Sequence, residues 1–195
     1  MLKTLRAAAT AFIILTLLTG VIYPLSITAL GQFLFPYQAN GSLITRDGQV
    51  VGSELIGQSL SDPAYFWGRP SAVNTMLGSA PGALSASGAS NAGWTSATLS
   101  EQVTERAETI RAAHNLSPEA PLPPDLLFAS GSGIDPHISP EAAALQVSRV
   151  ATARQLEESQ VQALVDRFTE GPQAGILGQP KVNVLLLNLA LDEVS

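Results

Sequence analysis

The 195-residue sequence has no cysteine, only two histidines and few charged residues. The absence of cysteine excludes a disulfide framework and a thiol nucleophile in this chain. Charged residues make up 13% of the sequence, about half of the roughly 25% that is usual for soluble domains. Part of this deficit has one location, because no charged residue occurs between Arg6 and Arg46. Such a long uncharged stretch predicts a segment that lies in a membrane.

The uncharged segment 7–35 reads AAATAFIILTLLTGVIYPLSITALGQFLF. A membrane-spanning helix needs about 20 predominantly apolar residues, and this segment is longer. A cleaved signal peptide would have a shorter apolar stretch, whereas this run continues past Pro24 towards aromatic residues typical of a membrane interface. A buried core helix is the other alternative, and the uncharged length argues against it. The sequence therefore predicts an uncleaved anchor in 1–37, with its core at about 8–30, and one domain in 38–195.

Charge predicts the orientation of this anchor and excludes some partners. Lys3 and Arg6 are the only charged residues before the apolar segment, and basic flanks stay on the cytoplasmic side. Residues 38–195 should then be periplasmic, or extracellular in a cell with one membrane. Without Lys3 and Arg6 the formal charge of −6 becomes −8. An acidic outer domain argues against nucleic acid and against anionic lipid as its partners.

Small or polar residues recur every four positions in the anchor, at Thr16, Gly20, Pro24 and Thr28. Such a stripe allows another membrane helix to approach closely. Pro24 also removes one helical hydrogen bond, which a neighbouring helix or a local adjustment must compensate. The alternative is that these residue types are simply common in membrane helices.

The outer domain combines strand and helix signals. Short apolar runs on both sides of Asp47-Gly48 predict a β-hairpin, and the apolar run 182–187 predicts a central strand. With three amphipathic helices, this gives an α+β fold: one N-terminal transmembrane helix followed by a single extracytoplasmic mixed α/β domain. The helix signals are a Thr98–Glu101 capping box with a face of Leu99, Val103, Ala107 and Ile110, a Ser139 cap with a face of Ala143, Val147, Val150 and Ala151, and a third helix that begins between Glu157 and Ser159 and ends before Gly171-Pro172.

No catalytic motif is found. The sequence contains neither a G-x-S-x-G nucleophile elbow, nor S-x-x-K, nor a phosphate-binding G-x-x-x-x-G-K-[ST]. Its histidines, His114 and His137, lie in separate segments. His114 is expected to face the carbonyl end of a helix. Asp135 and His137 could ligate a metal, but a loop leading into the Ser139 cap explains them more simply. The sequence thus predicts no catalytic residue, no cofactor-binding residue and no metal site.

Several short strings resemble the C subunit of the bacterial Kdp potassium-transporting ATPase, in order and over nearly the whole chain. One small departure is Gly88-Ala89, where the family often has two glycines before Ser90. The strings are QANGSLI at 38–44, GSELIGQ at 52–58, YFWGRPSA at 65–72, SGASN at 87–91, GSGIDPHISP at 131–140, Gln146 with RVATAR at 149–154, GQPKVNV at 178–184 and LN at 187–188.

The resemblance implies an accessory subunit of the plasma (inner) membrane that has no chemistry of its own. Its partners would be a potassium-channel-like subunit and a P-type ATPase subunit. The family is described as a catalytic chaperone that raises the ATP affinity of the hydrolysing subunit. ATP would then be a cofactor of the complex and not a ligand of this chain. A stand-alone membrane-tethered extracytoplasmic binding module is the alternative.

Residues in and beside these strings are candidate partner contacts: Tyr65, Phe66, Arg69, Asn91, Asp135 and His137. Arg69 among aromatic residues suits an interface anchor, although an arginine–aromatic stack within the domain is the competing interpretation. The stretch 70–100 contains no charge and is either a docking loop or a flexible insertion.

Overall fold

A computed structural model describes residues 1–72 and 87–194. Its backbone contacts divide the chain into two compact units, Met1–Val51 and Gly52–Ser195. Residues 73–86, in the predicted uncharged loop, lie outside the described residues. The predicted boundary at 37/38 stays a prediction.

The first unit is dominated by one long apolar helix. It runs from Leu2 to Leu34 without a break, has a mean hydropathy of 2.0 and buries none of its most apolar window within the chain. At 1.5 Å per residue such a helix is about 50 Å long, which exceeds the roughly 30 Å hydrocarbon core of a bilayer. The predicted apolar helix is therefore confirmed. It consists of α1 (Leu2–Leu17), a π-helical turn (Leu18–Ile22) and α2 (Tyr23–Leu34).

The π-helical turn is explained by Pro24. Proline has no N–H to donate, and its ring clashes with the carbonyl four residues earlier, which belongs to Gly20. The helix widens just before this point, so that the Tyr23 N–H donates to the Leu18 carbonyl five residues back. This is the local adjustment that the sequence required.

The long helix is followed by a single helical turn, α3 (Pro36–Ala39), and by the hairpin of β1 (Leu43–Arg46) and β2 (Gln49–Ser53). The last two residues of β2 belong to the second unit. Asp47 and Gly48 connect the strands with φ of 51° and 77°. Both turn residues are left-handed, as a tight hairpin requires. The predicted hairpin is confirmed.

The second unit packs helices against a small antiparallel sheet with the strand order β3-β5-β4. The predicted cap at Ser139 is confirmed, and the predicted stripe of the helix that it starts is buried. The elements are α4 (Ala97–Ala113), α5 (Pro124–Leu127), β3 (His137–Ile138), α6 (Pro140–Arg154), α7 (Glu158–Arg167), β4 (Thr169–Glu170), β5 (Lys181–Asn183) and α8 (Val184–Leu191).

Two predicted elements were wrong in their bounds. Helix α4 begins before the predicted capping box, because the Ser96 hydroxyl accepts from the Leu99 N–H at 3.3 Å and caps the helix two residues earlier than Thr98. The predicted strand 182–187 ends at Asn183. The Asn183 side chain accepts from the Leu186 N–H at 3.1 Å, so that it caps α8. A short apolar run cannot by itself distinguish a buried strand from a buried helix.

The core of the second unit encloses an extended segment around Phe66. Phe66 is fully buried, together with Val150, Val161, Val182 and Leu187. Within the part of the chain that the structure describes, no strand pairs with this segment, and side-chain amides satisfy its backbone. The Phe66 N–H donates to Asn188 Oδ1 at 2.8 Å, and Asn188 Nδ2 donates back to the Phe66 carbonyl at 3.0 Å.

A second amide repeats this arrangement one residue later. The Trp67 N–H donates to Gln146 Oε1 at 2.7 Å, and Gln146 Nε2 donates to the Trp67 carbonyl at 3.0 Å. Gln146 and Asn188 are both buried. We call these two residues the amide clamp, since together they hold consecutive peptide groups between α6 and α8.

The amide clamp predicts a large effect of a near-isosteric substitution. Asn188→Leu would leave the buried N–H and C=O of Phe66 unpaired, and each such group costs about 1–3 kcal/mol. We expect the free energy of unfolding to fall by about 2–4 kcal/mol, measured by urea denaturation of the full-length chain in detergent. Gln102→Leu, at an exposed position of α4, is the control and should change it by less than about 0.5 kcal/mol. Equal effects of the two substitutions would contradict the clamp.

Candidate functional site

Three of the predicted contact residues lie together. Arg69 Nη1 is 3.1 Å from Asp135 Oδ2 in an ion pair. The other carboxylate oxygen accepts from the His137 backbone N–H at 3.0 Å and is 3.5 Å from His137 Nδ1. About a quarter of each side chain is exposed: 26% for Arg69, 27% for Asp135 and 24% for His137. We call these three residues the Arg69 cluster.

The electrostatics of the cluster favour an ionised Asp135. Burial acts to raise the pKa of its carboxyl group, but hydrogen bonds from His137 and the positive charge of Arg69 outweigh burial and lower the pKa below its ordinary value. The carboxylate therefore keeps its charge at neutral pH and holds the guanidinium in place.

A glycine fixes the backbone beneath the cluster. The Gly57 N–H donates to the Ile134 carbonyl at 2.8 Å, and a Cβ at position 57 would overlap the Asp135 carbonyl. From the other side, the Val184 N–H donates to the Pro136 carbonyl at 2.9 Å. The segment that carries Asp135 is thus held between the 57 region and the start of α8, so that the cluster is preformed.

Two open grooves meet at Arg69. One, of about 490 Å³, is largely apolar and is lined by Trp67, Ile110 and Leu126 among others. The second, of about 350 Å³, is more polar and is lined by the whole Arg69 cluster together with residues such as Lys181. Arg69 Nε is also buried without a hydrogen-bond partner among the described residues. This surface combines an apolar recess with a charged rim, which is the composition of a protein contact.

The other predicted contact residues have different environments. Phe66 is fully buried, because its whole ring lies in the core beneath the amide clamp. Its prediction as a partner contact was therefore wrong. Tyr65 is half-buried, and Cζ of Arg154 lies 4.5 Å from the centre of the Tyr65 ring. Asn91 is exposed with a left-handed φ of 50° and is not one of the residues of the Arg69 cluster.

Two arginine–aromatic stacks are formed by arginines that the sequence did not indicate for this role. Arg149 lies 4.1 Å from the ring centre of Trp67. It also donates to the carbonyls of Pro63 and Tyr65 at 2.5 and 3.1 Å. Arg154 donates to the Ala64 carbonyl at 2.6 Å and pairs with Asp192 at 2.7 Å. Both arginines lie in the string RVATAR at 149–154, which resembles the family. The residues that they contact lie far away in the sequence, so the stacks could not be predicted from it.

His114 completes this group of residues, in contacts that favour its neutral form. Its Nδ1 lies 2.8 Å from the Ile110 carbonyl at the end of α4, while its Nε2 accepts from Arg149 Nε at 3.2 Å. Burial lowers the pKa of His114, the Ile110 carbonyl opposes this, and the charge of Arg149 lowers the pKa further. Burial also lowers the pKa of Arg149, to about 10. The predicted position of His114 at a helix carbonyl end is confirmed.

These contacts predict a pH dependence of stability. Because folding lowers the pKa of His114 below 6.5, the unfolded chain binds the proton more tightly. The contribution of His114 to the free energy of unfolding should be complete above about pH 6.5. It should decline as the pH falls towards the pKa of His114 in the folded state. His114→Gln should weaken this decline between about pH 6.5 and 5, measured as urea midpoints of the full-length chain. An unchanged decline in the variant would contradict the assignment.

The anchor stripe has a geometry that the sequence alone did not show. Residues four apart on an α-helix drift by about 40°, which would total about 120° from Thr16 to Thr28. The π-helical turn adds one residue and takes back about 100°. Thr16 and Thr28 are therefore separated by about 20° around the helix axis instead of about 120°. The Thr28 hydroxyl donates to the Pro24 carbonyl at 2.9 Å.

Comparisons with known proteins agree with the resemblance of the short strings. The family model described as "K+-transporting ATPase, c chain" (KdpC) matches residues 5–193. A relative from Dechloromonas aromatica, named "Potassium-transporting ATPase KdpC subunit", is 52% identical over 195 residues, which are 100% of both chains. Relatives of the same name from Sorangium cellulosum and Methylococcus capsulatus are 55% and 53% identical, each over 98% of both chains. This chain therefore belongs to the KdpC family of K⁺-transporting ATPase subunits.

Proposed function

We propose that this chain is a non-catalytic accessory subunit of a high-affinity, ATP-driven potassium uptake pump. The observation that carries the proposal is its identity of 52–55% over nearly the full length with chains named as KdpC subunits. The sequence contains none of the nucleophile and phosphate-binding motifs named above, which supports a subunit without chemistry of its own. We propose a potassium-channel-like subunit and a P-type ATPase subunit as its partners.

The proposed topology is a single-pass protein of the plasma (inner) membrane with a cytoplasmic N-terminus. The apolar helix Leu2–Leu34 supports a single span. Lys3 and Arg6 support the orientation, since basic residues stay inside. Residues 38–195 would then form the domain on the periplasmic or extracellular side.

The stripe Thr16, Gly20, Pro24 and Thr28 is proposed as the surface on which another membrane helix packs. The π-helical turn supports this, because it brings Thr16 and Thr28 to nearly the same side of the helix. A Cβ at Gly20 would meet no atom of this chain within 4 Å, so a neighbouring backbone has room to approach. Because the Thr28 hydroxyl is satisfied within its own helix, we infer steric packing and not hydrogen bonding as its main contribution.

The proposed effect on the hydrolysing subunit is that of a catalytic chaperone that raises its ATP affinity. ATP is a cofactor of the complex in this proposal, and no residue of this chain is assigned to the nucleotide. If residues 38–195 lie outside while ATP binds inside, the effect has to be transmitted by the membrane helices. Such coupling requires that this subunit bind one conformation of the pump more tightly than another.

The Arg69 cluster is proposed as a contact of the second unit with the pump. Its ionised Asp135 and partly exposed Arg69 offer a preformed charged pair beside an apolar groove. The same groove favours a second candidate function, a stand-alone extracytoplasmic module that binds a solute or cell-wall component. The two functions differ in whether large membrane proteins accompany this chain.

Protease accessibility tests the orientation. Protease added to intact spheroplasts should digest residues 38–195, whereas an epitope placed at the N-terminus should survive until the cells are lysed. The measurement is immunoblotting with antibodies to each end of the chain. A protected C-terminal domain with an accessible N-terminus would reverse the proposed topology.

Affinity purification from detergent-solubilised membranes tests the function and the stripe together. Two large membrane proteins should co-purify with the tagged wild-type chain. Gly20→Leu should reduce their recovery at least about fivefold, because overpacking costs on the order of 1–3 kcal/mol. Leu17→Ile, off the stripe, is the control and should leave recovery unchanged.

Two outcomes of this purification would contradict the proposals separately. Recovery of the wild-type chain alone would support the stand-alone module. Equal recovery with Gly20→Leu and Leu17→Ile would leave the accessory role standing and would exclude the stripe as the contact.

A further inference from the structure

The short segment between the membrane-spanning helix and the β1–β2 hairpin is densely hydrogen-bonded. Helix α2 ends at Leu34 and β1 begins at Leu43, so that eight residues connect them. We call these residues, 35–42, the exit turn. Its sequence FPYQANGS ends in Asn-Gly-Ser, and such residues are typical of turns and flexible connections. The hydrogen bonds of the segment indicate instead one fixed conformation.

Two side-chain amides join the exit turn to the helix that precedes it. Asn40 Nδ2 donates to Gln32 Oε1 at 3.0 Å, and Gln32 Nε2 donates back to Asn40 Oδ1 at 3.3 Å. Asn40 Nδ2 also donates to the Pro36 carbonyl at 2.6 Å, so that both of its hydrogens are used. Gln32 lies in the last turn of α2 and Asn40 follows α3. The amide pair therefore spans the break between the two helices.

Tyr37 holds the other end of the exit turn. Its carbonyl accepts from the Ser42 N–H at 3.0 Å, and its hydroxyl donates to the Ser42 carbonyl at 3.2 Å. Ser42 is buried and has a left-handed φ of 49°. Because Leu43 is the first residue of β1, the two bonds of Tyr37 fix the point from which the hairpin starts.

The surroundings of the exit turn strengthen these bonds. Its backbone is satisfied locally, since the Phe35 N–H donates to the Gly31 carbonyl at 2.8 Å and the Ala39 N–H donates to the Phe35 carbonyl at 2.9 Å. Phe35 and Tyr37 are exposed, and aromatic residues in such positions are typical of a membrane interface. Less water competes for hydrogen bonds there, so that the amide pair contributes more than it would in bulk water.

We propose that the exit turn is a rigid joint, which makes the β1–β2 hairpin follow the rotation and tilt of the membrane-spanning helix. This inference rests on the proposed function for its use. An effect that travels along this chain between its membrane helix and its outer domain has to pass through the exit turn. Coupling over such distances is carried by hydrogen-bond networks and rigid elements, and a freely flexible connection would lose the movement.

The absence of cysteine from this chain allows distances across the joint to be measured between two introduced spin labels. Leu15→Cys on α1 and Val50→Cys on β2 both replace exposed residues of the first unit. Double electron–electron resonance of the labelled full-length chain in lipid nanodiscs should give one narrow distance distribution. Gln32→Leu removes the amide pair and should broaden this distribution at least about twofold, because eight freely flexible residues vary in their end-to-end distance by about 15 Å.

A matched control and a second variant accompany this measurement. Gln38→Leu makes the same exchange at an exposed position of the exit turn and should leave the distribution unchanged. Asn40→Ala breaks the amide pair from outside the helix and should broaden the distribution as Gln32→Leu does. Labels at Leu5→Cys and Leu30→Cys, about 37 Å apart along the helix, should keep one narrow distribution in every variant.

The purified complex tests the use of the joint. With Gln32→Leu or Asn40→Ala the complex should keep all of its subunits, since neither change falls on the proposed helix-packing stripe. Half-maximal ATP hydrolysis should then need at least about fivefold more ATP, in the range of typical coupling between sites. Gln38→Leu should leave this ATP requirement unchanged.

The contrary outcomes overturn different statements. A broad wild-type distribution, or a narrow one that neither Gln32→Leu nor Asn40→Ala changes, excludes the rigid joint and leaves the proposed function intact. A broadened distribution with an unchanged ATP requirement excludes the joint as the path of coupling. Failure of other subunits to co-purify with the wild-type chain would instead contradict the proposed function.

Discussion

The backbone of Phe66 and Trp67 passes between α6 and α8, and among the residues that the structure describes no strand pairs with it. Buried peptide groups need partners, and here Gln146 from α6 and Asn188 from α8 each give one donor and one acceptor. The arrangement resembles the pairing of a strand edge, made by side chains instead of a second backbone. The positions of both helices in the second unit are tied to this segment.

The arginines extend the same constraint to the surface. Arg149 and Arg154 lie on α6 and donate to carbonyls between Pro63 and Tyr65, while their guanidinium planes cover Trp67 and Tyr65. Segment 63–67 is therefore held both by hydrogen bonds to its backbone and by cation–π contacts with its aromatic rings. This rigidity explains how the neighbouring Arg69 can reach Asp135 in a fixed geometry.

Local signals in the sequence predicted local structure well. Asp47-Gly48 indicated a left-handed turn, Ser139 indicated a helix start, and the uncharged run before Arg46 indicated one long apolar helix. The amide clamp could not be predicted in this way, because Phe66 and Asn188 are separated by 122 positions in the sequence. The same distance explains why Phe66 was mistaken for a contact residue, since an aromatic side chain in a polar loop gives no local sign of burial. The strand predicted over 182–187 was too long because Asn183 both ends β5 and caps α8.

That double role of Asn183 gives the second unit a mechanical property. Strand β5 (Lys181–Asn183) passes directly into α8 (Val184–Leu191), with no loop that could absorb movement. Asn183 is also fixed by its side-chain bond to the Glu54 carbonyl at 2.8 Å. A displacement of β5 would consequently be passed directly to the first turns of α8, which carry Asn188. Strand and helix thus form one continuous connection between the sheet and the buried contact of Asn188 with Phe66.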